Sequence, residues 1–92
     1  MTKKMLLNKY FGENILTRNS IISFFNKVEM LDDNEIIIDF KKIKFISRSC
    51  AAEYLKLKGN SQKRIAEKNM SIEVKLMFRL VVNQLKNLVL VE

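Results

Sequence analysis

The chain has 92 residues, with 17 Lys and Arg against 10 Asp and Glu, for a formal net charge of +7. That length holds one domain, residues 1–92, and the 48% apolar content supplies it with a core. The chain has no His, no Pro, one Cys (Cys50) and two Gly, which excludes an internal disulfide, a Cys/His zinc site, histidine acid–base chemistry and a glycine-rich phosphate loop.

Met5-Leu6-Leu7 reads as a first short strand, and Tyr10-Phe11-Gly12 turns the chain. Asn14-Ile15-Leu16 forms a second short strand in a hairpin with the first, or leads directly into a helix. Thr17 is a good N-cap, and Ile21, Ile22, Phe24, Phe25, Val28 and Leu31 recur at helical spacing, so a helix is predicted from Arg18 to Leu31. Asp32-Asp33-Asn34 is a polar turn. Glu35 to Phe40 is the clearest strand, because three consecutive branched isoleucines favour extended backbone, and a run apolar on both faces suits the middle of a covered sheet. Residues 41–45 connect it onward, with Ile43 and Phe45 expected to point inward.

Ser47 caps a second helix starting at Arg48, with Cys50, Ala51, Tyr54 and Leu55 on its apolar face; Gly59 ends or weakens it. Ser61 to Asn69 reads as helical, with Ile65 and Ala66 inward. Ser71 to Met77 alternates polar and apolar residues, the period of a strand with one wet face. Leu80, Val81, Gln84 and Leu85 mark a short helix, and Leu88 to Val91 a last strand. The sum is an α/β domain without an internal repeat: a small, mostly parallel four-stranded sheet in the order β-α-β-α-β-α-β, with helices packed against it. The functional rim of such a sheet lies beyond the carboxyl ends of its strands, here Asp39 and the stretch Ile46 to Cys50.

The segment Ile36 to Leu55, an apolar strand closing on Asp39-Phe40, a short turn, the pair Phe45-Ile46 and then Ser47-Arg48-Ser49 opening a helix, resembles the centre of a STAS-like domain. Gly12 followed by Ile15-Leu16-Thr17-Arg18 resembles the segment that precedes the first helix of that family. The family includes anti-sigma-factor antagonists, which bind histidine-kinase-like ATPases that phosphorylate a serine at the matching position, here Ser49. Ser47 stands where the antagonists often have Asp, Cys50 where they usually have Gly, and of a common Asp-Glu pair Glu53 is the one that matches. The resemblance therefore implies a non-enzymatic regulatory module with Asp39, Ser47, Arg48, Ser49, Glu53 and Arg18 at its partner-binding or phosphorylation rim, and no cofactor or metal.

Each of these residues also has a plain structural role. Ser47 and Ser49 can cap free N–H groups at the helix start. Arg48 can be a solvated rim residue or a bidentate partner of phosphate or carboxylate. Arg18 opens a helix where the dipole disfavours a cation, and an ion pair with Asp39 or Glu53 would account for it. Asp39 can cap a turn or pair with a base, and Cys50 is expected to be a buried structural thiol. The charge of +7 admits a nucleic-acid surface as an alternative function, although no recognition-helix, zinc or aromatic-platform motif accompanies it. The apolar stretch Leu80 to Val91 is core or a homodimer surface. With no signal peptide and no apolar run long enough for a membrane span, the expected location is the cytoplasm.

Overall fold

The computed structural model describes the backbone of residues 1–91 and the side chains of residues 1–85. In chain order the described elements are β1 (Thr2–Leu6), α1 (Asn8–Phe11), β2 (Asn14–Ile15), α2 (Arg18–Met30), β3 (Glu35–Asp39), β4 (Phe45–Ile46), α3 (Arg48–Asn60), β5 (Arg64–Lys68) and α4 (Ile72–Val91). The isoleucine run forms β3, and β3 takes the centre of a three-stranded parallel sheet ordered β1-β3-β5. Thr2 to Leu6 pair with Glu35 to Asp39, which pair in turn with Arg64 to Lys68. Both crossovers step in the same direction, so α2 and α3 lie on one face of the sheet. Ile36 and Ile38 are buried on that face, while Ile37, in register with Lys4 and Ala66, is only half-buried on the other.

The four-stranded sheet expected from the sequence does not form. The strands divide into this sheet and a separate two-stranded parallel pair, β2-β4, registered Asn14 to Phe45 and Ile15 to Ile46. Consequently β2 is not the second arm of a hairpin with β1. Phe45 belongs to β4 and is 44% exposed, not inward, because strand alternation turns Ile46 into the core in its place.

Two further expectations are overturned by tertiary pairing. Residues 64–68 carry good helix formers but form the edge strand β5, where Ile65 and Glu67 share the covered face with Ile36 and Ile38. Glu67 is satisfied there by the Tyr54 hydroxyl, which donates to Oε2 at 2.7 Å, and by the Lys58 ammonium at 3.0 Å from Oε1. Burial and the adjacent Glu67 carboxylate push the Tyr54 phenol far above its ordinary range.

The alternating segment at Ser71 to Met77 and the apolar end at Leu88 to Val91 both lie outside any strand: residues 72–91 form the single helix α4. The Ser71 hydroxyl accepts from the Val74 N–H at 3.2 Å, and Glu73 sits in the first turn, where the dipole favours an anion. Val74, Phe78 and Val81 form the buried stripe, whereas Ile72 and Leu76, which create the apparent two-residue period, are 71% and 54% exposed. Of the stretch Leu80 to Val91, Val81 is core and Leu80 and Leu85 are exposed; side chains from Lys86 onward lie outside the described residues.

The core joins these layers through aromatic rings packed edge to face. Phe25 and Tyr54 lie 5.2 Å apart, Tyr54 and Phe78 5.2 Å, and Phe40 and Tyr54 5.8 Å. Cys50 is buried in the same core as a free thiol. Gly59 lies inside α3, which continues to Asn60, so it weakens that helix without ending it.

Candidate functional site

The two sheets together generate a repeated arrangement. A strand of 5 residues (β1 or β3), a strand of 2 (β2 or β4) and a helix of 13 (α2 or α3) occur in that order twice, with the short α1 inserted between β1 and β2. Because β2 and β4 pair in parallel, and the Ser47 N–H donates to the Ile15 carbonyl at 3.0 Å, the helices that follow start side by side. Thr17 and Ser47 occupy the two N-cap positions, and Arg18 and Arg48 the first position of each helix.

Ser47 is the working cap. Its hydroxyl accepts from the Cys50 N–H at 3.2 Å, and it lies 3.4 Å from the Ser49 hydroxyl. Ser47 is half-buried, whereas Ser49 and Arg48 are exposed. On α2 the corresponding Thr17 makes no cap bond to the backbone, and its hydroxyl meets that of Ser20 instead.

Arg18 reaches across to α3, where its Nη2 lies 2.9 Å from Oε1 of Glu53. Glu53 is only 6% exposed, while the Arg18 side chain is 61% exposed. A carboxylate taken out of water needs such a partner, and this pair explains why a cation is tolerated at the start of α2. Ser49 and Glu53 are one turn apart on α3, so they share a face.

That face borders an open groove of about 820 Å³ between α3 and α4. Arg18, Arg48 and Lys56 stand along it with Ser49 and Glu53. Its apolar lining comes from Ala52, Leu55, Val81 and Leu85, and Gln84 completes it. Arg18, Arg48, Ser49 and Glu53 are therefore brought together, with Ser47 just behind them.

Asp39 is not part of this groove. It is buried at the end of β3, where Oδ1 accepts from the Lys41 N–H at 2.8 Å and the Asn69 amide at 3.0 Å, and Oδ2 lies 3.3 Å from the Lys4 ammonium. Burial alone would raise its pKa, but the hydrogen bonds from Asn69 and Lys41 and the Lys4 charge outweigh it, holding the carboxyl below its ordinary value. Asp39 thus ties the ends of β1, β3 and β5 together. The turn it organises closes with the Ile43 N–H on the Phe40 carbonyl at 2.9 Å and places Lys42 at φ +67°.

Val81, Gln84 and Leu85 join the site only because α4 packs beside α3, which nothing in the local sequence signals. A signal that was present is the similarity of Ile15-Leu16-Thr17-Arg18 to Ile46-Ser47-Arg48, an isoleucine, a hydroxyl cap and an arginine in the same order. Among the described residues no group of three or more His, Cys, Asp and Glu is placed to hold a metal ion, and no helix is long and apolar enough to cross a membrane. No protein-family model, no curated protein and no solved structure matches this chain.

Proposed function

We propose that the chain is a STAS-like regulatory module of the cytoplasm, which binds a protein partner at the corner where α2 and α3 begin, catalyses no reaction itself, and is switched by phosphorylation of Ser49 by a histidine-kinase-like ATPase. The observation that carries this reading is the division of labour between the two serines. Ser47 supplies the helix cap, so the exposed Ser49 hydroxyl is not needed to hold the fold. In the reaction the γ-phosphoryl group of ATP passes to Ser49 Oγ, ADP leaves, and the hydroxyl proton goes to a base of the kinase. The phosphate adds about −1.5 to −2 charge. It would lie at the positive end of α3 and beside the arginines of the groove, which suits the fold and offsets the positive charge of the rim.

The test is mass spectrometry of the purified chain after incubation with a purified histidine-kinase-like ATPase and Mg-ATP, and of the chain recovered from its own cells. The expected result is one phosphate, on Ser49, absent from Ser49→Ala. Phosphate on another residue, or on none in either sample, removes the switch from the reading.

A further inference from the structure

We infer that the groove between α3 and α4 is the seat of an acidic amphipathic helix on the partner protein. The inference deepens the protein-binding reading above and rests on it, but it does not require that Ser49 be phosphorylated. Two features of the groove select this occupant. Its apolar lining exposes Leu85 and leaves Ala52 and Leu55 half-buried above the core residue Val81, in a groove of about 820 Å³. Among the described residues its edge carries Arg18, Arg48 and Lys56 against the one carboxylate of Glu53, which Arg18 already neutralises. An occupant must therefore bring apolar side chains along one stripe and carboxylates on its flanks, which is the pattern of a helix with leucines at i, i+3, i+4 and i+7 and Glu between them.

The other occupants fit less well. A second copy of this chain would bring the same cationic edge and a net charge of +7 against itself. A nucleic acid would use the cations but leave the leucines without a partner. Complementarity also supplies the regulation. Ser49 lies on the groove between Arg48 and Glu53, so a negative charge placed there offsets the cations that attract the partner's carboxylates and weakens the complex.

The experiment is fluorescence anisotropy of the full chain with a labelled Leu/Glu amphipathic helical peptide, beside an all-Glu peptide without leucines and a labelled DNA duplex. The expected result is saturable binding of the Leu/Glu peptide that falls with added salt. Arg48→Glu and Leu85→Asp, both at exposed positions, each weaken it by about tenfold or more. Ser49→Glu weakens it by about threefold or more, while Lys3→Glu, at an exposed position of β1 away from the groove, leaves it unchanged. Circular dichroism checks that every variant is folded. Failure of the Leu/Glu peptide to bind, or equal binding by wild type, Arg48→Glu and Leu85→Asp, overturns the inference. Equal binding of the all-Glu peptide reduces it to bulk charge, and selective retention of the duplex makes the groove a nucleic-acid surface. Light scattering that shows a wild-type dimer and a Leu85→Asp monomer assigns the groove to a second copy. If Ser49 is never phosphorylated but the peptide binds as expected, the switch fails and the groove stands; if Ser49 is phosphorylated but the peptide does not bind, the reverse holds.

Discussion

The two helix starts that β2 and β4 set side by side are built alike and used differently. At the start of α2, Thr17 caps no backbone group, and Arg18 is committed to the buried carboxylate of Glu53. At the start of α3, Ser47 holds the backbone, and Arg48 and Ser49 face solvent without an ion-pair partner for Arg48 among the described residues. One corner therefore spends its chemistry on joining α2 to α3, and the other presents it. The lesson is that equivalent positions in a repeated arrangement need not share a role; the partners available across the interface decide.

Five experiments break or sharpen this contrast, beginning with the fold that holds both corners in place. Asp39→Ala removes a buried carboxylate with three donors and should cost about 2–3 kcal/mol in urea denaturation, far more than any change at the exposed corner. The same carboxylate makes stability depend on acid. Its pKa is lower folded than unfolded, so its contribution is complete above the unfolded value and is lost as pH falls through the folded one. Thermal denaturation of wild type should show this loss below about pH 4, and Asp39→Asn should flatten it.

The next effect compares the arginines directly. Arg18→Ala leaves Glu53 buried and unpaired and should cost about 1–2 kcal/mol, discounted because Arg18 is largely exposed. Arg48→Ala should fall within about 0.5 kcal/mol of wild type. Equal effects would erase the distinction between the corners. The caps give a smaller contrast: Ser47→Ala should cost about 1 kcal/mol, and Thr17→Ala no more than a few tenths. Finally, Lys42 holds a left-handed backbone conformation in the turn before β4, so Lys42→Gly should stabilise the protein by up to about 1 kcal/mol, read as a shifted denaturation midpoint.

The parts of the fold legible in the sequence are those whose signals are local. Ile36-Ile37-Ile38 announces a strand, and Thr17 and Ser47 mark the starts of helices that run to Met30 and Asn60. What was not legible depends on contacts between distant residues. Lys63 to Lys68 has the composition of a helix surface and becomes a strand because β3 offers a free edge and Glu67 finds Tyr54 and Lys58. Ile72, Val74 and Leu76 alternate by coincidence, since only Val74 is buried in α4. The same limit applies to the site. Arg18, Arg48, Ser49 and Glu53 could be chosen from the sequence, but their meeting on one groove requires the β2-β4 pair and the packing of α4 on α3. Asp39 reads as a rim carboxylate by position in the strand, and its burial under Lys4, Lys41 and Asn69 follows from the register of the neighbouring strands.

The most direct measurement is the change in backbone amide NMR signals as the Leu/Glu helical peptide is added to the isotopically labelled chain. If the corner and its groove form the working surface, shifts concentrate on Arg18, on Arg48 to Lys56 and on Val81 to Leu85, and leave Lys4, Ile37 and Ala66 on the opposite face of the sheet unmoved. Shifts centred on that opposite face, or scattered without a focus, would contradict the account.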